Sequence, residues 1–375
     1  MIQLEEKLEK QLTLLMKEDK SFVIYQLPRQ KEIRFAAQLA GKPQELYHLS
    51  DLNGKEGFVI SPFRIDNTYP IVLIHPEIEI SGLGNIVRAL SALPYCKQQT
   101  ESGNNQTIGA GIDNKKEKLI YRECFDRFIE PLKNGEFEKL VLSRSHRMTR
   151  PDSFSCLRSF LQAANDYPYM MNYLCCTPAT GIWMGSTPEM ILMGNANQWQ
   201  TVALAGTKPA DKLSDWDNKN IEEQEVVSEY IRNIIAKHTI ETNEKGPYTA
   251  QAGNVAHLKT EFSFTLNDNG KIGSLLHDLH PTPAVCGIPK QEAFDFIVRN
   301  EAHNRKYYSG IIGRLAPRNE TNLYVNLRCA EIDQSSITLY AGSGIMPASV
   351  HESEWEETNY KMQTLQFIFN KGRSC

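Results

Sequence analysis

From Glu138 onward the sequence consists mainly of short segments with the two-residue period of a β-strand, separated by a few helical segments. NLYVNLRCAEI alternates, so Leu323, Val325 and Leu327 are predicted to face one side of a strand and Arg328 the other. The order of strands and helices lacks the strand–helix–strand rhythm of a parallel sheet. The pattern therefore predicts an α+β fold rather than a Rossmann sheet.

Helical periodicity is clearest in three places. A period of 3.6 residues predicts helices over 1–20, 221–238 and the C-terminal HESEWEETNYKMQTLQFIF. The buried face of the middle helix is predicted to carry Val227, Ile231, Ile234 and Ile235.

A polar stretch from Lys97 to Lys118 has no periodicity and is predicted to be an exposed loop. It is the best candidate for a boundary between a weakly patterned N-terminal part, 1–115, and a denser part, 116–375. We expect the second part to be one continuous α+β domain that carries the chemistry.

Composition excludes several classes of protein. The 375 residues are 41% apolar and 23% charged, with a net charge of −4, as in an ordinary globular chain. No basic footprint suggests a nucleic-acid partner, and no apolar run approaches the ~20 residues that span a bilayer. The N-terminus lacks the apolar core of a signal peptide, and the cysteines form no CxxC pair. We expect a cytoplasmic protein with reduced cysteines, away from membranes, as a monomer or weak homodimer.

Two carboxylates and a lysine share one face of the C-terminal helix, because Glu354, Glu357 and Lys361 are spaced i, i+3 and i+7. They are either a solvated face with a Glu–Lys pair, or a divalent-ion site beside a cation for an anionic ligand. Gly342 and Gly344, just upstream, slightly favour the second interpretation, since glycine lets a backbone approach a ligand closely.

A second acidic cluster, Glu222, Glu223 and Glu225, opens the middle helix. The helix dipole alone favours acidic residues in a first turn. Alternatively, one of them completes an oxygen site for Mg²⁺, which takes one or two carboxylates together with waters and substrate oxygens. The two acidic clusters can meet only through the fold, so both interpretations stay open.

Four further residues are candidates, each with a structural alternative. Lys139 is either a solvated strand-edge lysine or a desolvated general base. Glu189 is either a turn residue or a buried proton donor. Arg328 on a strand needs a carboxylate partner, and His257 is by default a core histidine. Together they indicate a pocket for a small dianion rather than a polymer.

Ten short motifs, in one order, resemble those of the chorismate-utilising enzymes: isochorismate synthases, salicylate synthases and the subunits that make anthranilate or aminodeoxychorismate. The resemblance implies a two-layer antiparallel β-sheet core flanked by helices, with the site in the central cleft. The motifs are KLVLSR (139–144), GSTPE (185–189), LAGTKP (204–209), EEQEVV (222–227), HLKT (257–260), LHPTPAVCGIP (279–289), the Glu301–Arg305–Tyr308–Gly310–Gly313 spacing, LRCAE (327–331), AGSGI (341–345) and EWEETNYK (354–361).

The resemblance also implies catalytic roles. Lys139 resembles the general base that activates water for attack at C2 of chorismate, and Glu189 resembles the general acid that protonates the leaving C4 hydroxyl. In water, both groups would be in the wrong protonation state at pH 7. The pocket must therefore lower the pKa of the lysine and raise that of the glutamate. Burial does both, because it disfavours the charged form of each group.

Binding roles follow from the same resemblance, which implies Mg²⁺ as cofactor and chorismate as substrate. Glu222, Glu354 and Glu357 would bind the metal, with Glu223 as the alternative to Glu222. The residues that would bind the substrate are Gly206, Thr207, His257, Thr282, Ala284, Tyr308, Arg328, Gly342, Gly344 and Lys361.

Two positions narrow the branch of the family. The branches that use ammonia usually have glutamine in place of Lys139, and LHPTPAV, with Ala284, resembles the isochorismate-synthase form and argues against pyruvate elimination. We therefore predict an isochorismate synthase for menaquinone or siderophore biosynthesis, without a glutaminase subunit. The alternatives are a salicylate synthase, including residual salicylate formation, and a non-catalytic chorismate-binding protein.

Overall fold

The computed structural model describes residues 2–93, 114–196, 198–209, 216–252 and 255–371. These residues form two nine-stranded sheets in which neighbouring strands run antiparallel. Helices cover the outer faces, so the predicted α+β class and two-layer antiparallel core are confirmed.

The order of strands mixes early and late parts of the chain in both layers. The first sheet runs, from edge to edge, through β14 (Gly287–Ile288), β7 (Lys139–Thr149), β18 (Ser336–Ile345), β17 (Cys329–Ile332), β9 (Gly181–Thr187), β8 (Met171–Thr177), β1 (Ser21–Gln26), β2 (Ile33–Gln38) and β6 (Ile78–Ser81). The second runs through β12 (Thr239–Ala252), β13 (Val255–Leu266), β11 (Trp199–Pro209), β10 (Met190–Gly194), β16 (Thr321–Val325), β15 (Ile311–Leu315), β4 (Gly57–Ser61), β5 (Ile71–Ile74) and β3 (Gln44–Leu46).

The helices pack in three groups. α1, α2, α4 and α8 cover the first sheet, α5 and α6 cover the second, and α3 and α7 pack beside β7. Their bounds are α1 (Ile2–Lys17), α2 (Leu83–Ser91), α3 (Asn114–Lys133), α4 (Cys156–Asp166), α5 (Asn218–Ile235), α6 (Ile272–Leu279), α7 (Lys290–Asn300) and α8 (His351–Lys371). Within the parts of the chain that the structure describes, no helix has the length and apolar character needed to cross a membrane.

The core between the sheets is rich in aromatic side chains. Tyr25 of β1 meets Phe58 of β4 across the layers with ring centroids 5.4 Å apart. Tyr340 of β18 stacks between Trp183 and Tyr308, at 5.6 Å from each. Such rings bury large apolar areas with defined geometry, so they fix how the two sheets face each other.

The predicted strand over 322–332 is wrong in one respect, because the chain changes sheets in its middle. β16 belongs to the second sheet and β17 to the first. The buried Asn326 holds the crossover, since it donates to the Tyr307 carbonyl at 2.9 Å and accepts from the Tyr173 hydroxyl at 2.6 Å. Arg328 has φ +47° there, so it lies in a crossover and not on the face of a strand.

The predicted exposed loop over 97–118 is also wrong at its end, because α3 already begins at Asn114. Glu117 is buried and bonds His146 at 2.9 Å. Residues 97–113 lie outside the described residues. The six cysteines that are described, Cys124, Cys156, Cys175, Cys176, Cys286 and Cys329, are buried and free, as expected; Cys96 and Cys375 are not among the described residues.

Candidate active site

Lys139 lies at the first position of β7, where its side chain is buried with 6% of the residue exposed. Its Nζ donates to Glu223 Oε1 of α5 at 2.5 Å. The two residues are 84 positions apart in sequence. The lysine therefore joins the first sheet to a helix that covers the second. Its charge acts on both Glu189 and Glu357, and we call the region that these three residues share the cleft.

Glu189 lies between β9 and β10, where the chain passes from one sheet to the other. Its backbone carbonyl accepts from Val325 at 2.8 Å, and Oε1 accepts a long hydrogen bond of 3.4 Å from the Thr282 hydroxyl. Burial raises the pKa of Glu189 to about 7, although the charges of Lys139 and Lys361 act against this increase. A pKa of about 7 makes both the protonated and the ionised carboxyl accessible near neutral pH.

The acidic face of α8 points into the same region. Lys361 donates to Glu357 at 2.6 Å and to the Gly342 carbonyl at 2.8 Å. Burial alone would raise the pKa of Glu357, but Lys361, Arg328 and Lys139 together hold it below its usual value. Burial and the neighbouring charge of Glu357 raise the pKa of Glu354. The two carboxylates are thus close enough to influence each other.

Arg328 is a cation of this cleft that has no side-chain hydrogen bond or ion pair among the described residues. Its carbonyl accepts from the Ser186 N–H at 3.0 Å, which holds the strained backbone in place. Burial lowers the pKa of its guanidinium, although Tyr308 and Glu357 act in the opposite direction. Among the described residues, no side chain or carbonyl forms a hydrogen bond or ion pair with that guanidinium. Its fork is free to bind a carboxylate.

The predicted lining residues of the second sheet meet around His257 of β13. Its Nδ1 lies 3.0 Å from the carbonyl oxygen of Gly206 in β11, which also contains Thr207. Burial, together with the charges of Lys361 and Arg328, lowers the pKa of His257 despite that hydrogen bond. His257 is therefore a neutral ring beside the cleft and not an isolated core histidine.

Thr282 and Ala284 lie in the loop between α6 and β14. The hydroxyl of Thr282 reaches Glu189, as described above, and Ala284 is half-buried two residues later. The structure thus brings this loop to the side of the cleft where Glu189 lies.

The two glycines of AGSGI make room for side chains. A Cβ on Gly344 would lie 3.1 Å from Cε of Lys139, and one on Gly342 would lie 3.0 Å from the Tyr308 hydroxyl. A larger residue at either position would push a cleft side chain out of place. The glycines therefore position Lys139 and Tyr308, beyond any contact of their own with a ligand.

Of the two neighbouring glutamates in α5, the structure directs Glu223 into the cleft and leaves Glu222 exposed. Position 223 lies about one turn before the buried Val227 and shares its side of the helix. Position 222 is rotated by about 100° from position 223. The helical face predicted from Val227, Ile231, Ile234 and Ile235, all of which are buried, is a signal that could have selected Glu223.

The donor set fits a divalent ion held by few carboxylates. The described parts of the chain hold no group of three or more His, Cys, Asp or Glu side chains close enough to share a metal ion. Mg²⁺ needs only one or two carboxylates when waters and substrate oxygens complete its shell. Glu354 and Glu357 meet that requirement, and Glu223 faces the same cleft through Lys139.

A buried network that the sequence interpretation missed supports this cleft. Arg305 donates to Glu301 at 2.7 Å, to the Val285 carbonyl at 2.6 Å and to the Val141 carbonyl at 2.8 Å. Glu301 in turn accepts from the N–H of Ser143 at 2.7 Å. The network fastens β7 to the loop that carries Thr282. The i, i+4 spacing of Glu301 and Arg305 indicated the ion pair. It did not indicate which segments of the chain the pair joins.

Comparisons with known proteins identify the relatives of this chain. Residues 72–369 match the family model of the chorismate binding enzymes. Isochorismate synthase EntC of Escherichia coli K12 is 28% identical over 266 residues, which cover 68% of this chain and 68% of that protein. Isochorismate synthase MenF of the same strain is 29% identical over 264 residues, which cover 67% of this chain and 60% of that protein. The solved structure of MenF, the menaquinone-specific isochorismate synthase from Escherichia coli, has a TM-score of 0.75 at 21% identity; the match covers 93% of this chain and 88% of that one, and supports the fold.

Proposed function

Since the chain belongs to the family of chorismate binding enzymes, we propose that it is an isochorismate synthase, which isomerises chorismate to isochorismate. One observation carries the proposal. The buried Lys139 acts on both Glu189, whose pKa burial raises to about 7, and Glu357, and the guanidinium of Arg328 acts on Glu357 as well, so the three groups share one region. Together they offer what the reaction requires: an amine as base, a carboxyl as acid and a cation for the anionic substrate.

The reaction moves a hydroxyl group by exchange with water. In our proposal Lys139, neutral and released from Glu223, takes a proton from a water molecule, whose oxygen forms a bond to C2 of the substrate. The ring double bonds shift, the C4–oxygen bond breaks, and Glu189 donates the proton with which the hydroxyl leaves as water. One water enters and one leaves, so the product is an isomer. General acid and base groups of this kind contribute roughly 10²–10⁴-fold each.

The proposed substrate is a dicarboxylate, and the cleft offers cations for it. Arg328 would bind one carboxylate through its fork, and Lys361, beside Tyr308 and Gly342, lies close enough to share in the charge. Glu354 and Glu357 would hold Mg²⁺, which when bound supplies a cationic anchor for a substrate carboxylate, and Glu223 would join them only by moving out of its ion pair with Lys139. To accept it, Glu223 and Glu357 must give up part of their contact with Lys139 and Lys361.

The expected setting of the enzyme follows from the same proposal. Isochorismate would serve menaquinone or siderophore biosynthesis; MenF of the solved structure is menaquinone-specific by name, and a relative from Vibrio cholerae is named vibriobactin-specific. We further propose that it works in the cytoplasm, as a monomer or weak homodimer, without a glutaminase subunit.

Exchange of Arg328 for lysine tests the anion site. Arg328→Lys is expected to raise the KM for chorismate by roughly 10–100-fold, because a charge-assisted hydrogen bond is worth ~1.5–3 kcal/mol and lysine lacks the planar fork. Steady-state kinetics measure this. Arg34→Lys is the control, since Arg34 binds Glu320 in an exposed pair. An unchanged KM in Arg328→Lys would show that the guanidinium does not bind the substrate.

A matched pair in α5 tests the third metal ligand. Glu223→Gln is expected to raise the Mg²⁺ concentration for half-maximal activity by about tenfold or more, since the ion would lose an anionic ligand. Glu222→Gln should leave it unchanged, because that side chain is exposed. Titration of activity with Mg²⁺ distinguishes the two. The reverse result, with Glu222→Gln impaired, would return the role to Glu222.

Product analysis tests the proposed function as a whole. The purified chain is incubated with chorismate and Mg²⁺, and the products are separated by chromatography, with a parallel sample in excess EDTA. Isochorismate is expected as the main product, and only with Mg²⁺. Salicylate with pyruvate would favour the lyase alternative, and unchanged chorismate would favour a non-catalytic binding protein.

A further inference from the structure

A buried polar cluster lies on the face of the first sheet opposite Lys139. In β7, Lys139 and Arg144 are five positions apart in a continuous register, so they face opposite sides of the sheet. In β18, Ser343 likewise faces away from Gly342 and Gly344. The side chains of Arg144 and Ser343 meet α3 and α8 there. We call Tyr121, Arg144, Ser343 and Thr358 the brace.

Arg144 fastens β7 to α8. Its Nε donates to the Thr358 hydroxyl at 2.7 Å, and its guanidinium lies 3.9 Å from the centroid of the Trp355 ring. It also donates to the side-chain oxygen of Asn359 and, at 3.4 Å, to Glu117 of α3. Along α8 these contacts alternate with Glu354, Glu357 and Lys361. The helix that carries the carboxylates is thus fixed to the strand that carries the proposed base.

Tyr121 and Ser343 approach the carboxylates more directly. The Tyr121 hydroxyl of α3 and the Ser343 hydroxyl of β18 are 3.0 Å apart, and both residues are at least 98% buried. The hydroxyls of Ser343 and Ser349 both lie beside the carboxylate of Glu354. Ser343 therefore contacts both the tyrosine and that carboxylate.

We propose that the brace orients the metal-binding carboxylates, with Tyr121 acting through Ser343 on Glu354 and Arg144 setting the distance between α8 and Lys139. Tyr121, Ser343 and Arg144 are positioning residues in this account and touch neither substrate nor metal. The inference rests on the proposed function, since it takes Glu354 and Glu357 as ligands. Groups that hydrogen-bond a ligating side chain fix its orientation, and their loss typically costs 10–100-fold in metal affinity or activity.

The brace is not needed for packing alone. Isosteric apolar side chains would fill the space of a buried tyrosine hydroxyl or serine at no cost in unpaired polar groups. Burial lowers the pKa of Arg144 to about 10, which still leaves it charged at neutral pH. A buried charge with several aligned acceptors resists displacement, because each lost partner leaves part of the guanidinium unpaired.

The test compares metal binding in variants that remove single hydroxyl groups. Tyr121→Phe and Ser343→Ala are titrated with Mg²⁺ by calorimetry, starting from metal-free protein, alongside kinetics over a range of Mg²⁺ concentrations. Both variants are expected to bind Mg²⁺ about tenfold more weakly. Their kcat should recover at high Mg²⁺, with little change in the KM for chorismate. Arg144→Met should show a larger loss, and Arg144→Lys should restore part of it.

Tyr324→Phe is the matched control. Tyr324 is equally buried, but its hydroxyl has no hydrogen-bond partner among the described side chains and backbone groups. The Kd for Mg²⁺ should therefore stay unchanged. A purely structural role would lower thermal stability or the active fraction in every variant without a selective change in the Kd.

Each outcome decides between the brace and the proposed function. If the parent protein binds Mg²⁺ and Tyr121→Phe and Ser343→Ala bind it equally well, the brace has no positioning role and the proposed function stands. If the parent protein neither binds Mg²⁺ nor converts chorismate, the proposed function fails and the role of the brace fails with it. Selective loss of Mg²⁺ affinity in the two variants supports the brace.

Discussion

Replacement of Lys139 by methionine is expected to lower kcat by about 10²–10⁴-fold, the usual contribution of a general base. Methionine keeps the unbranched shape that fits against Gly344, so the loss isolates the amine. The KM for chorismate should change much less, because in this account Arg328 carries most of the binding. Steady-state kinetics with chorismate and saturating Mg²⁺ give both numbers.

A second lysine serves as the control for charge and pairing. Lys306 binds Glu331 at 2.7 Å, outside the proposed machinery, and Lys306→Met should keep nearly normal kcat. Lys139→Met also deprives Glu223 of its partner, so Glu223→Gln is measured beside it. Near-normal kcat in Lys139→Met would assign water activation to another group and remove the main support for an isomerase.

The second large effect is expected at Glu189. Glu189→Gln removes the proton donor for the C4 hydroxyl and should lower kcat by roughly 10²–10⁴-fold. In the parent enzyme the carboxyl must be protonated, and its pKa is raised to about 7. On the alkaline side of its pH profile, kcat should therefore fall as the pH rises through about 7 and Glu189 loses its proton. Glutamine does not titrate, so the variant should lose this alkaline limb.

The pH profile separates a proton donor from a merely buried carboxyl. Glu229→Gln, an exposed change on α5, should keep both the rate and the limb. If Glu189→Gln kept the fall in kcat near pH 7, that limb would belong to another group. Full kcat in the same variant would show that the leaving hydroxyl is protonated elsewhere.

Local pattern was enough to predict the α+β class, and the two antiparallel layers followed from the family resemblance. The pattern failed where one tertiary contact overrides it. The alternation through Leu323 and Val325 is real, yet the buried amide of Asn326 and the positive φ of Arg328 turn the chain into the other sheet. Nothing in a period of two residues reports such a crossover, because apolar residues alternate on both sides of it.

The site shows the same division between local and long-range information. The common face of Glu354, Glu357 and Lys361 follows from helical spacing, and Lys361 does bind Glu357. That Glu223 and not Glu222 faces the cleft was available from the buried face of α5 but needed the register of that helix. The ion pair of Lys139 with Glu223 joins residues 84 positions apart, so only the packed fold could reveal it. The raised pKa of Glu189 likewise depends on burial by distant segments.

The origin of the new hydroxyl tests the central claim most directly. The reaction is run in water enriched in ¹⁸O, with chorismate and Mg²⁺. Isochorismate is collected at early times, and its ¹⁸O content is measured by mass spectrometry. Because water attacks C2 while the original C4 hydroxyl leaves, the account predicts that each product molecule carries one oxygen from the solvent. Isochorismate without ¹⁸O would mean that the original hydroxyl migrates within the substrate, and would contradict the roles assigned to Lys139 and Glu189.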